Sequence, residues 1–233
     1  MGTIGIVGGI GPESTVEYYR LIISLYREQR GDGGSPRILI NSIDLKRLLD
    51  LIGANELQKA TQYLVEEVEK LSRAGADVGL LAANTPHVVF DGVQSGSTIP
   101  LISIVEETCD EAAGLGLRRV GLFGTKFTMR GRFYEKVFER RSITIVTPDA
   151  DAQGYVHEKY LTELLNGVVH DETREGLLKI VKRLKTEQGI EGLILGGTEL
   201  SLILKDGDDE DIPFLDTTRI HARSAVRELL RRG

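Results

Sequence analysis

One cysteine, Cys109, stands in 233 residues, and tryptophan is absent. A single thiol cannot close an internal disulfide, so the chain is expected in a reducing compartment, the cytoplasm. The four histidines are scattered, and no His/Cys/carboxylate group has the spacing of a zinc site, so no metal is expected. No apolar segment approaches the roughly 18 residues that span a bilayer. Met1 leads straight into "GTIGIVGG" with no basic stretch before an apolar one, so neither a leader nor a membrane partner is expected. Basic runs are missing apart from the terminal "RELLRRG", and the formal charge is −6, which argues against a nucleic-acid partner.

What is present is an ordinary globular composition, 41% hydrophobic and 27% charged, with 27 glycines that suit many tight turns. Seven short apolar runs bounded by Gly, Pro or polar turns read as buried strands: "TIGIVG", "RILINSI", "DVGLLA", "PLISI", "RRVGLFG", "SITIVTP" and "IEGLILG". Helical periodicity lies between them. Leu57, Ala60, Leu64, Val68 and Leu71 form one stripe, with Asn55 and Gln58 as the expected N-terminal cap pair and Gly75 past the end. Leu177, Ile180, Val181 and Leu184 repeat the pattern. Alternating strands and helices predict an α/β fold with parallel sheets.

The chain also echoes itself. "GIVGG" (Gly5 to Gly9) resembles "GLFGT" (Gly121 to Thr125), and "LLAANT" (Leu80 to Thr85) resembles "LILGGT" (Leu193 to Thr198). Two similar lobes are implied, the first at 1–102 plus 213–233 and the second at 103–212. The last segment, "TRIHARSAVRELLRRG", reads as a helix that returns to the first lobe. The acidic loop "KDGDDEDIP" at 205–213 lacks the Gly and Glu offsets of a calcium loop and reads as a solvated connector.

In open parallel sheets, ligands bind beyond the carboxyl ends of the strands. Four such ends carry small polar groups: "GGIGPEST", "ANTPH", "GTKFT" and "GGTEL". The first supplies Gly9 and Gly11 of a dinucleotide fingerprint, but its third glycine position is Ser14, and Pro12 opening a helix explains the turn as well. Asp44 ends the second strand. Asn84, Thr85, Thr125, Thr128 and Thr198 are uncharged hydrogen-bonding groups suited to a carboxylate, and each also suits helix capping.

Taken together, "GIVGGIGPEST", "NTPH", "IPLISIVEET", "GLFGTKFTMRGRFY", "LILGGTEL" and "FLDTTRIHA" resemble the aspartate/glutamate racemase superfamily of cofactor-independent amino-acid racemases over nearly the whole chain. The resemblance implies two α/β lobes related by pseudo-two-fold symmetry, a cleft between them for a small amino acid or carboxylate, no cofactor, and a homodimer. It also implies an isomerase in which two cysteines, one per lobe, remove and return the α-proton from opposite faces. Those cysteines fall on Ala83 and Gly197, so neither thiol is present. Cys109 in "VEETCDEAA" reads as a packing residue in mid-helix. His87 and Glu199 stand nearby as candidate replacements, since His exchanges protons near neutral pH. A small-acid lyase or isomerase of the same superfamily, or a binding protein without turnover, stays open beside the racemase reading.

Overall fold

The computed structural model describes residues 2–31 and 33–232. They form two compact units, Met1–Ile104 with His221–Gly233, and Val105–Ile220.

The first unit begins with β1 (Thr3–Gly8), α1 (Pro12–Arg30) and β2 (Arg37–Ser42). It continues through α2 (Leu45–Gly53), α3 (Leu57–Arg73), β3 (Val78–Leu81), a 3₁₀ turn (Thr85–Val89), α4 (Phe90–Gly96) and β4 (Leu101–Ile102). All pairs are parallel, in the order β2-β1-β3-β4. Every residue of β1 is buried, as expected of a strand covered on both faces. One face packs Val7 and Leu81 against Leu64, Val68 and Leu71 of α3. The other packs Ile4, Ile6 and Leu80 against Tyr18 and Ile22 of α1.

The second unit runs α5 (Ile104–Gly114), β5 (Arg119–Gly124), α6 (Lys126–Arg130), α7 (Phe133–Phe138) and β6 (Thr144–Val146). Then come α8 (Ala150–Thr162), α9 (Asp171–Gln188), β7 (Gly192–Gly196), α10 (Leu200–Ile203), β8 (Phe214–Asp216) and α11 (Thr217–Arg231), whose residues from His221 on belong to the first unit. Its sheet is again parallel, in the order β6-β5-β7-β8, so both halves share one strand order. Val156, Tyr160 and Leu164 project from α8 and the turn after it into a core with Phe123, Leu177, Val181 and Leu195.

Four expectations need correction. Asn55 and Gln58 form no cap: Asn55 takes a left-handed φ of 57° that ends α2, and Glu56 precedes α3 without a side-chain cap bond. The run "PLISI" contains a strand of only two residues, Leu101–Ile102, because α5 starts at Ile104. An eighth strand, Phe214–Asp216, pairs with β7, so 213–220 go with the second unit rather than the first. From Ala222 onward α11 does enter the first unit's core, with Ala225, Val226 and Leu229 beside Ile4 and Ile6. The acidic loop is more than solvated: Arg174 binds Asp208 at 2.6 Å, and Lys185 binds Asp209 at 2.8 Å.

Candidate functional site

In the first unit the candidate residues lie past three neighbouring strands. Gly9 and Gly11 make the turn from β1 to α1 with φ of 76° and 90°, conformations that cost a residue with a Cβ. The Gly9 amide donates to Thr15 Oγ1 at 2.9 Å, and Pro12 takes the first helical position, where its missing N–H costs nothing. Asp44 is exposed two residues past β2 and caps α2 by accepting the Arg47 amide at 3.2 Å. Its own amide donates to the Tyr63 hydroxyl at 3.2 Å.

Beyond β3, Ala83, Asn84 and His87 are buried and Thr85 is half-buried. His87 Nε2 accepts the Ile104 amide at 3.2 Å, which leaves Nδ1 to carry the proton and donate to the Ala83 carbonyl at 3.0 Å. Its ring stacks on Phe90 with centroids 4.9 Å apart. Burial, with His221 nearby, pushes its pKa down to about 3. Both ring nitrogens are therefore committed, and the ring braces the backbone at Ala83.

In the second unit Thr125 and Thr128 follow β5. Thr125 caps α6 by accepting the Thr128 amide at 3.3 Å, and the two hydroxyls lie 3.3 Å apart. Thr128 is buried beneath a close strand contact: a Cβ on Gly124 would stand 2.8 Å from the Gly196 carbonyl oxygen. Gly197, Thr198 and Glu199 follow β7. Glu199 is buried, accepts the Thr198 hydroxyl at 2.7 Å, and accepts the phenol of Tyr160.

The sheets relate Ala83 and Gly197, the positions on which the resemblance places the family's cysteines, to each other. In the first, Val7 pairs with Leu81; in the second, Phe123 pairs with Leu195. Ala83 and Gly197 each stand two residues past those partners. The repeat in the letters aligns Ala83 with Gly196 instead, one residue off. Cys109 lies in mid-α5, buried, its thiol pushed up to about 11 by burial and by Asp110 and Glu106. It stays protonated at neutral pH and is no substitute nucleophile or base.

Two groups escape a reading of the sequence. Tyr160 sits on a stripe with Val156 and Leu164, which signals core and nothing more. Thr218 Oγ1 is buried without a hydrogen-bond partner. Asp216 pairs with Leu195, and Thr218 and Gly197 each stand two residues past those partners. Among the described residues, no group of three or more His, Cys, Asp or Glu is placed to hold a metal ion, and no helix is long and apolar enough to cross a membrane.

Two parallel four-stranded α/β units of one strand order, each with glycines and small polar groups at its strand ends, define the two-lobed racemase class of fold. The family model described as Asp/Glu/Hydantoin racemase matches residues 7–225, and the chain belongs to that family. It is 26% identical to the broad specificity amino-acid racemase RacX of Bacillus subtilis, over 97% of this chain and 98% of the relative. The crystal structure of a candidate Asp/Glu racemase from Yersinia pestis aligns with a TM-score of 0.92 at 32% identity, covering 99% of this chain and 100% of the other. That of an aspartate racemase homologue from Pyrococcus horikoshii OT3 aligns at 0.88 with 34% identity, again over 99% and 100%.

Proposed function

We propose that this protein binds a small amino acid or carboxylate in a cleft between its two lobes, and that its reaction class is proton transfer at the α-carbon without pyridoxal phosphate. The observation that carries this reading is the family match across nearly the full chain, joined by a broad-specificity relative that aligns over 97% of this chain and 98% of its own. The chemistry at the strand ends supports it. Gly9, Gly11, Asn84, Thr85, Thr125, Thr128 and Thr198 offer amides and hydroxyls rather than charges, which suits a carboxylate held by directed hydrogen bonds. The buried, unpaired hydroxyl of Thr218 adds support, because such groups in native proteins are commonly satisfied by a ligand or water. In this reading the protein works as a cytoplasmic homodimer.

One observation favours a second reading, either a small-acid lyase or isomerase or a binding protein without turnover. Position 83 carries only a methyl group and position 197 no side chain, so the opposed thiols of the family chemistry are absent. Of the nearby candidates, His87 is committed through both nitrogens and Glu199 through Tyr160 and Thr198.

Incubation with pooled amino acids in heavy water separates these readings. Loss of the α-proton NMR signal with accumulation of D-amino acids is the result expected of a racemase. Conversion of malonate-type or maleate-type acids without α-exchange selects the lyase or isomerase. An amino acid that raises the melting temperature yet never exchanges leaves a binding protein, since a ligand of the native state stabilises it by mass action. Neither exchange nor a melting shift across the panel removes the proposal.

A further inference from the structure

Gly197 owes its lack of a side chain to a neighbour within its own unit. A Cβ placed on Gly197 would stand 2.6 Å from Tyr160 Cε2, 3.0 Å from Cζ and 3.0 Å from the hydroxyl oxygen. Carbon atoms do not approach so closely without one of them moving. No positive φ constrains residue 197, so the obstacle is the ring and not the backbone.

A ring at the end of a flexible side chain often yields cheaply, but this one is anchored at both ends. Its body is buried between Val156 and Leu164 in the second unit's core. Its hydroxyl donates to the carboxylate of Glu199, two residues after Gly197, and that carboxylate also accepts the Thr198 hydroxyl. Swinging the ring away would leave a buried carboxylate short of a donor, which is costlier than losing an exposed hydrogen bond. Burial, together with the same carboxylate, holds the phenol well above its ordinary pKa, so the group stays neutral and remains a donor.

We propose that Tyr160, fixed by Glu199, occupies the volume that a side chain at position 197 would need, and so decides that this lobe presents a neutral phenol where the family presents a thiol. The inference rests on the family reading of position 197. Its consequence is that adding the two missing thiols does not rebuild the family's acid–base pair while Tyr160 is in place. Tyr160→Leu removes the Cε2, Cζ and hydroxyl atoms that block the position and keeps an apolar side chain in the core.

A thermodynamic cycle of Gly197→Cys, Tyr160→Leu and the double variant tests the proposal, read by melting temperature and by alkylation of the introduced thiol. Peptide mapping distinguishes that thiol from Cys109. Gly197→Cys alone is expected to melt about 4 °C or more below the parent, as overpacking of a filled site does in a chain of this size. The double variant is expected to melt higher than the sum of the single effects requires, with alkylation faster by about tenfold or more as access opens. If Gly197→Cys does not fold, Gly197→Ala, which adds the Cβ alone, takes its place in the cycle. Additive single effects, or a thiol alkylated equally fast with and without Tyr160, overturn the proposal. Deuterium exchange by Ala83→Cys/Gly197→Cys, with and without Tyr160→Leu, reports separately on the family chemistry. Exchange only after trimming supports both, whereas a coupled cycle with no exchange counts against the α-carbon chemistry and leaves the assignment of Tyr160 standing.

Discussion

Ala83 and Gly197 occupy the same place in two sheets of the same strand order, yet their surroundings have diverged. At Ala83 a Cβ is already present, and the backbone is braced from outside the site by His87 Nδ1. At Gly197 even a Cβ meets the Tyr160 ring. The two positions on which the resemblance places the family's thiols therefore differ in kind: Ala83 carries a methyl group on a braced backbone, while the space beside Gly197 is filled by the Tyr160 ring. Duplicated folds allow this because each half keeps its own core, and a change in one core is free of the other.

The units also differ in which ionisable groups they bury, and the largest expected effect tests that difference. The first unit buries His87 and His221 as neutral rings, with His221 accepting the Tyr18 hydroxyl at 2.8 Å and donating to the Ile102 carbonyl at 2.9 Å. Burial lowers their pKa values to about 3 and about 4 from the ordinary 6.5. Between those limits the unfolded chain binds protons that the folded chain refuses, so stability is complete above pH 6.5 and falls as the pH drops towards 4. By pH 5 each ring costs about 2 kcal/mol. Urea unfolding at pH 7 and pH 5 is expected to show this loss, and His221→Gln to lessen it. Equal stability at the two pH values would mean that the rings are not held neutral, and this contrast between the units would disappear.

A smaller effect separates two positions that look equivalent in the letters. The echo places Gly9 over Thr125, but Gly9 has a φ of 76°, and a Cβ there would lie 2.7 Å from the Ile43 carbonyl oxygen. Thr125 is extended, with a φ of −65°, and serves as a cap. Gly9→Ala is expected to cost about 3 kcal/mol through strain and overlap. Thr125→Ala is expected to cost about 1 kcal/mol, the loss of a cap. Denaturant midpoints would show both, and similar losses at the two positions would mean that the turns are more alike than their dihedral angles.

Much of this architecture can be read from composition and pattern. Buried parallel strands announce themselves as unbroken apolar runs, and α3 as a stripe, because burial on two faces or one leaves a period in the letters. β8 left no such trace: Phe214–Asp216 is three residues long, and its pairing with β7 is a tertiary fact. The glycine turns were legible, since Gly-Gly-Ile-Gly-Pro prescribes left-handed backbone followed by a helix start. The internal repeat alone did not align Ala83 with Gly197, because it matches apolar runs while the sheets match hydrogen-bonded partners and the two differ by one residue; the family resemblance is what paired these positions. Tyr160 was hidden for a similar reason. Its spacing from Val156 and Leu164 marks a core face, and nothing local says that the far end of its ring meets residue 197.

The smallest expected effect completes the comparison. Ala83→Cys adds one sulfur to a side chain whose Cβ is already accommodated, at a residue 8% exposed. It is expected to change stability by less than about 1 kcal/mol, a shift of about 2–4 °C at most in a chain of this size. Its melting temperature, set beside that of Gly197→Cys, measures the asymmetry directly. A small effect at 83 with a large one at 197 means that the first thiol position is open and the second closed. A drop at Ala83→Cys equal to that at Gly197→Cys would mean that both have closed, and Tyr160 would then explain only half of what separates this chain from a two-thiol racemase.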